Sequence, residues 1–408
     1  MQKMKEPFQL PLARTTLPRT PLIDEERFPG YDSQGFYPVG AGDVLANRYQ
    51  VLLKIGWGVS STPELVVALK IGNATSRHTG DREGDVEEHI AKTDPSHDGR
   101  SMFRTSMDYF RLPGPLGSHV CRVYMPMREL FWHYQRGFKD RKVPLPVVKT
   151  YIRFLLTGLD YLHTDCKVVH TDLKLENIMV DFEDFAILGD FLNSTVNEPV
   201  PCKVDSNSRL VYHSCTDFGP LTKVMNIPQF VDFGSALDHY RAPEVILGCG
   251  WSMSADTWNM GVLVWDFIQG RELFQHIYNK DGTYNLRAHI AEIIGLLGPP
   301  PPETIAKYNS MAGTKWQEAG TRGSDSKRCE SATDFFDGPF FDANGRFFYE
   351  ELIPKRSLEE AVPSCLMNQD REGFLSFVRG MLTWVPDERK RAGELIEHPF
   401  LQLGKVQK

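Results

Sequence analysis

The sequence lacks any Cys-x-x-Cys pair. Its seven cysteines stand at 121, 166, 202, 215, 249, 329 and 365, a scatter that argues against both a disulfide framework and a structural zinc site and leaves reduced thiols, as in the cytosol or nucleus, as the simplest reading. It also lacks an excess of positive charge. Lys and Arg number 46 against 53 Asp and Glu, a net charge of −7, so no overall field holds a nucleic-acid backbone or an anionic membrane, whereas a basic peptide is attracted. No apolar run approaches the roughly 18 residues of a membrane span, and the N-terminal segment has no apolar core of the secretory kind. No internal repeat with a period of about 20–50 residues is visible. What the chain has in quantity is apolar residues. Of its 408 residues 41% are hydrophobic, enough for a large core and too many for a disordered chain. At about 150 residues per domain the length suits two or three units or one two-lobed enzyme.

The first thirty residues are rich in Pro, Thr and charge without a helical period, which predicts an extended arm over 1–30. From Arg48 the segment RYQVLLKIGWGVSS alternates and then turns glycine-rich, and VVALKI at 66–71 is a second strand, giving a small β-rich lobe over 31–124. Between Pro144 and His163 apolar residues recur at helical spacing, and 256–270 is apolar almost all round, the pattern of a helix buried inside a mainly helical second lobe over 125–401. Residues 181–226 and 299–345, with their Pro, Gly, Ser and Asn, read as inserts in that lobe, and 402–408 as a tail. The fold class is therefore α+β, with two lobes.

The strongest chemical signal is His170-Thr171-Asp172-Leu173-Lys174-Leu175-Glu176-Asn177, directly after the long helix. Phosphoryl transfer asks a protein for a carboxylate to accept the substrate hydroxyl's proton, a cation near the moving phosphate and an amide to hold magnesium. Asp172, Lys174 and Asn177 supply these in order. Upstream, Gly56-Trp57-Gly58-Val59-Ser60-Ser61 resembles a loop whose backbone N–H groups lie over ATP phosphates, and Lys70 on the following strand is placed for the α- and β-phosphates. A buried lysine needs a carboxylate, and Glu83 is the preferred partner, with Glu87 the alternative. Downstream, Asp232-Phe233-Gly234 leaves an apolar strand, as a magnesium-holding aspartate should, whereas the rival Asp217-Phe218-Gly219 follows Ser214-Cys215-Thr216. Glu244, in Ala242-Pro243-Glu244, is expected to pair with Arg391 as a structural ion pair.

With these residues in place, the chain resembles a eukaryotic protein kinase from about Tyr31 to Leu401. More narrowly it resembles the SR-protein-specific kinases, especially the fungal type, through GFYPVGAGDVLANRYQVLLKIGWGVSST, Thr171 before Asp172, RAPEVILGCGWSMSADTWNMG and HIAEIIGLLGPPP. The resemblance implies the two-lobed protein kinase fold and transfer of the ATP γ-phosphate to serines of Arg/Ser-rich proteins of the splicing-factor type, with Mg2+ as cofactor. It implies adenine contacts on the backbone of Met125 and Met127, with Tyr124 behind them, a phosphate loop of Gly56, Gly58 and Ser61, and a structural role for Asp256 beside Glu244 and Arg391. A monomer of the cytoplasm and nucleus that touches neither nucleic acid nor membrane completes the expectation. Two intervals are short by the family's habit. Only 12 positions separate Gly58 from Lys70, and 12 separate Asp232 from Glu244, which motivates an alternative reading as a kinase-fold protein that binds but transfers little phosphate.

Overall fold

The protein's fold is given by a computed structural model that describes residues 7, 9–10, 17–18, 20–27, 31–55, 60–61, 66–74, 82–114, 116–195, 198, 200–233, 240–312, 314–322 and 327–403. The chain divides into two compact units. The first takes residues up to Lys92, Phe103–Leu130 and Met179–Val231, and the second takes Thr93–Met102, Phe131–Ile178 and everything from Asp232 onward. Among the described residues no helix is long and apolar enough to cross a membrane.

The first unit is built on strands β1 (Val44–Leu45), β2 (Tyr49–Gln50), β3 (Ser60–Ser61) and β4 (Val66–Ile71), helix α1 (Arg82–Lys92), and strands β5 (Asp108–Gly114) and β6 (Gly117–Tyr124). The strands form one sheet in the order β1-β2-β3-β4-β6-β5. Register assigns its faces. Leu69 stands opposite Val123 and Ile71 opposite Cys121, and with Val67 they enter an apolar cluster containing Leu45, Tyr49, Val51 and Leu112, covered by Tyr37 and Val39. Because side chains alternate along a strand, Ala68 and Lys70 point to the other face, as do their partners Tyr124 and Arg122.

The sequence pattern extends a strand through Val51–Lys54, but that segment spends its backbone hydrogen bonds elsewhere. Val51 N–H donates to the Asp43 carbonyl, and the Lys54 carbonyl accepts from Cys215 N–H. Cys215 belongs to the stretch 181–226, which was expected to be an insert of the second lobe and instead packs within the first unit. Here helix α4 (Phe185–Thr195), following the short strands β7 (Glu129–Leu130) and β8 (Ile178–Val180), precedes a hairpin of β9 (Cys202–Val204) and β10 (Leu210–Tyr212) and then β11 (Pro228–Phe230). Leu53 clusters with Val200, Cys202 and Tyr212, and Ile55 and Val66 pack on Phe182, Leu188 and Phe218. Burial of these apolar side chains fixes the segment where composition suggested only an insert.

The described part of the N-terminal arm is likewise tied down. Ile23 is buried just before the short 3₁₀ turn Asp24–Arg27, and Glu25 is buried within it. Lys54 donates to Asp24 at 3.2 Å and also to Glu25, while the buried Lys203 amine meets Glu26 at 2.7 Å. Ion pairs of the arm with Lys54 and with the hairpin thus replace the periodicity the arm lacks.

The second unit is helical. Its elements begin with α2 (Phe131–Tyr134) and α3 (Leu145–Thr164), and continue with α5 (Pro243–Ile246), α6 (Met253–Gln269) and α7 (Leu286–Leu297). Helix α3 starts on a proline at its first turn, where no intrahelical N–H is required. Helix α6 is buried from Ala255 to Ile268 and ends on Gly270 at φ 70°, the left-handed cap a side chain would resist. The stretch 299–345 also holds structure, a helix at Pro302–Ala312 and a hairpin of Lys315–Arg322 with Lys327–Ser331.

Gly99 lies against α3 so closely that a Cβ would fall 2.1 Å from the Thr157 carbonyl oxygen and 2.7 Å from Tyr161 Cβ, whereas one at Gly189 meets nothing within 4 Å. Gly99→Ala should therefore cost about 2 kcal/mol through overpacking, while Gly189→Ala, on an open helix face, should be neutral or stabilise by up to about 1 kcal/mol. Urea unfolding of the two variants beside the parent protein checks both signs.

Candidate active site

In the first unit the site is built around α1 and the polar face of the sheet. Lys70 Nζ donates to Glu83 Oε1 at 2.5 Å, and Arg122, directly opposite Lys70 on β6, donates to Glu83 Oε2 at 2.9 Å. Glu83 is thus the lysine's partner, as preferred from sequence, and Gly84 does not interrupt α1. The alternative, Glu87, is occupied otherwise: Oε1 accepts from Tyr124 OH at 2.8 Å and Oε2 from Ser106 N–H at 3.0 Å. Burial and the Glu87 charge push the Tyr124 hydroxyl well above its ordinary pKa, so it stays a donor. Met127 is buried and Met125 exposed. The Met125 carbonyl accepts from Arg104 Nε at 3.2 Å and Nη2 at 2.9 Å, with the guanidinium 4.5 Å from the Tyr124 ring. Neither Arg122 nor Arg104 is visible in a motif, because both enter through strand register and packing. Gly56 and Gly58 lie outside the described residues. Ser61 is in β3, opposite Val66 and Gln50.

In the second unit the loop after α3 is organised by Asp256, on α6. This carboxylate has no solvent exposure. It accepts from the backbone N–H of His170 at 2.7 Å and of Thr171 at 2.8 Å, and its Oδ2 lies 2.9 Å from His163 Nε2. Thr171 adopts φ 67°, a conformation costly for a β-branched residue and maintained by these bonds. The turn converges three side chains. Lys174 Nζ donates to Asp172 Oδ2 at 2.7 Å, and Asn177 Nδ2 donates to the same oxygen at 2.8 Å and to the Asp172 carbonyl at 3.1 Å.

His170 packs on Phe233 with ring centroids 4.8 Å apart, and burial holds it below the usual histidine pKa despite Asp256, Asp172 and Asp232. It therefore stays neutral, consistent with Nδ1 accepting from Asp172 N–H at 3.3 Å. Asp232 belongs to this unit and sits at φ 66°. Gly234 and 235–239 lie outside the described residues. The rival tripeptide has another role within the first unit. Asp217 Oδ1 closes a turn onto Gly219 N–H at 3.0 Å, Phe218 packs edge-on against Phe182 at 5.1 Å, and the Gly219 carbonyl accepts from Arg128 at 2.6 Å.

The chemistry of the donors suits a hard divalent cation. Among the described residues the Asn177 amide spends its NH2 on Asp172 and leaves its oxygen without a hydrogen bond, and Asp232 offers a carboxylate in the same unit. No group of three or more His, Cys, Asp or Glu that could hold a metal occurs among the described residues. Magnesium, which is commonly held by one or two protein oxygens together with phosphates and water, needs no such group.

One expectation is corrected. Glu244 pairs not with Arg391 but with Arg389, whose Nη1 and Nη2 donate to Oε1 and Oε2 at 2.7 Å each. Arg389 is buried at the end of the 3₁₀ turn Pro386–Glu388, while Arg391 is exposed at the N-terminus of the helix Ala392–Ile396, its backbone N–H donating to Glu394. Two residues of displacement across that turn decide which guanidinium points inward. Sequence reasoning also missed Tyr240, whose buried hydroxyl donates to Asp266 at 2.9 Å and accepts from Leu175 N–H at 3.4 Å.

Comparison with known proteins bears on the same residues. A family model described as the protein kinase domain matches residues 115–401. A serine/threonine protein kinase of Aspergillus fumigatus is 33% identical over 94% of this chain and 95% of its own length. The serine/threonine-protein kinase SRPK of Physarum polycephalum is 26% identical over 93% of this chain and 91% of its own. SRSF protein kinase 3 of Mus musculus is 36% identical over 37% of this chain and 28% of its own length. Among solved structures, the crystal structure of a kinase domain superposes with a TM-score of 0.59 at 19% identity, covering 91% of this chain and all of that one.

The pairing of Glu244 gives a direct test. Arg389→Leu leaves a buried carboxylate unpaired and should cost about 3–5 kcal/mol, whereas Arg391→Leu, at an exposed position, should change stability by less than about 0.5 kcal/mol. Equal losses in chemical denaturation would contradict the assignment.

Proposed function

Because this chain belongs to the protein kinase family and is a serine/threonine protein kinase, we propose that it transfers the γ-phosphate of ATP to serines in Arg/Ser-rich proteins, with magnesium as its cofactor. The observation that carries the reading is the convergence of Lys174 and Asn177 on one oxygen of Asp172, in a loop held by Asp256. Asp172 takes the proton of the attacking hydroxyl as the new oxygen–phosphorus bond forms and the bond to the departing ADP breaks. Lys174 places a positive charge beside the moving phosphoryl group and fixes the carboxylate that receives the proton. Asn177 and Asp232 would hold magnesium, which neutralises charge on the phosphates. Lys70, oriented by Glu83, would meet the α- and β-phosphates, with Gly56, Gly58 and Ser61 in the phosphate loop. The backbone of Met125 and Met127 would receive the adenine.

Substrate class rests on three supports: the SR-kinase motifs, relatives whose names are SRPK and SRSF protein kinase, and a net charge of −7 that favours basic peptides. On this reading the protein acts as a monomer in the cytoplasm and nucleus, in the regulation of mRNA splicing, without touching nucleic acid or membrane itself.

Labelled phosphate should pass from Mg·ATP to an Arg-Ser repeat peptide and not to its Ala-substituted counterpart. Asp172→Asn should lower turnover by about a hundredfold or more with ATP affinity retained, since proton acceptance acts in the transition state. Mg·ATP binding without transfer to any peptide would instead support the binding-only reading. Magnesium-dependent ATP binding should be lost in Asp232→Ala and kept in Asp217→Ala, and the reverse result would move the metal to the rival aspartate.

A further inference from the structure

Taking the backbone of Met125 and Met127 as the base-binding segment, an assignment that rests on the kinase reading above, we propose that Arg104 sets the choice of nucleotide, so that the protein binds GTP on a par with ATP. The exocyclic amine of adenine needs an acceptor, and the Met125 carbonyl that would supply it is already occupied. Arg104 Nε and Nη2 donate to it at 3.2 and 2.9 Å. A carbonyl oxygen offers two lone pairs, and one guanidinium spends both.

That guanidinium is fixed from several sides. It lies 4.5 Å from the centre of the Tyr124 ring, whose hydroxyl is anchored on Glu87 at 2.8 Å, and the Arg104 backbone N–H donates to the Phe230 carbonyl at 3.0 Å. No acid neutralises it: among the described residues no carboxylate lies within ion-pair distance. Burial lowers its pKa to about 10, which leaves it charged at neutral pH. All these residues belong to the first unit.

The donors that remain decide the preference. Nη1 meets the Met179 sulfur at 4.0 Å, a weak acceptor that an oxygen readily replaces. Adenine carries a donor amine at the ring position where guanine carries an acceptor oxygen, so Arg104 removes the partner of the first and offers one to the second. Met127 suits either base. It is buried, lies outside any strand, and spends neither its N–H nor its carbonyl on a backbone hydrogen bond among the described residues. Its N–H serves the bare ring nitrogen of adenine and its carbonyl the ring N–H of guanine. A polar site rejects an analogue that leaves one of its groups unpaired, and the spent Met125 carbonyl no longer supplies such a group against guanine.

Calorimetric titration of the full-length chain with the magnesium complexes of ATP, GTP and purine riboside triphosphate, which lacks the exocyclic amine, tests this. GTP should bind at least as tightly as one third of the ATP affinity, and the deamino analogue should match ATP within about threefold, because the amine finds no acceptor. Arg104→Met, checked by thermal melting, frees the carbonyl and removes the donors, and should raise the ratio of ATP to GTP affinity by about tenfold. Preference of the parent protein for ATP over GTP by more than about threefold, a larger loss than that for the deamino analogue, or an unchanged ratio in folded Arg104→Met would each overturn the proposal. ATP-selective binding overturns it alone and leaves the kinase reading standing, whereas absence of binding by all three nucleotides overturns both. The comparison of nucleotides on the parent protein decides it even where the variant does not fold.

Discussion

The loop after α3 depends on one buried carboxylate. Asp256 is shielded from solvent, and a charge in that position is tolerated only when donors replace its lost hydration. The replacements are the N–H groups of His170 and Thr171 and the ring of His163. The requirement runs both ways. The carboxylate must have these donors, and the backbone must take the left-handed turn at Thr171 to supply them. Once that turn is made, Asp172, Lys174 and Asn177 have little freedom left, and their mutual hydrogen bonds follow. Helix α6 is therefore more than packing. Its apolar surroundings give the Asp256 bonds their strength, because an unpaired polar group there would be costly.

The first unit solves a related problem with a sheet. Alternation along β4 sends Leu69 into the apolar cluster and Lys70 to the polar face, where Glu83 binds both Lys70 and the cross-strand Arg122. A single glutamate thus ties helix α1 to two strands. The opposite face is closed by segments from far away in the chain, the arm before Ala41 and the hairpin after Val200. Their ion pairs with Lys54, Lys203 and Arg209 join three pieces of backbone.

Legibility followed the range of the interactions. The grouping of Asp172, Lys174 and Asn177 was readable because these residues are close in sequence. Helices α3 and α6 were readable from their apolar pattern, and Glu83 from its place on a helix that follows Lys70. The expectation of Arg391 as the partner of Glu244 failed because a 3₁₀ turn, rather than spacing, aims the buried guanidinium of Arg389 at it. The stretch 181–226 was read as an insert of the second lobe because the apolar residues that receive it, Leu53, Ile55 and Val66, lie more than a hundred residues earlier.

The sequence by itself determined the class of chemistry, the α+β division, the strand at 66–71 and the long helices, since local periodicity and residue type carry that information. Tertiary structure alone decided that Arg122 shares Glu83 with Lys70, that Arg104 holds the Met125 carbonyl, that Asp217 closes a turn, and that the arm is tied to the hairpin. These features arise from strand register and long-range burial, where residues distant in the chain become neighbours, and no local pattern encodes which distant residue will arrive.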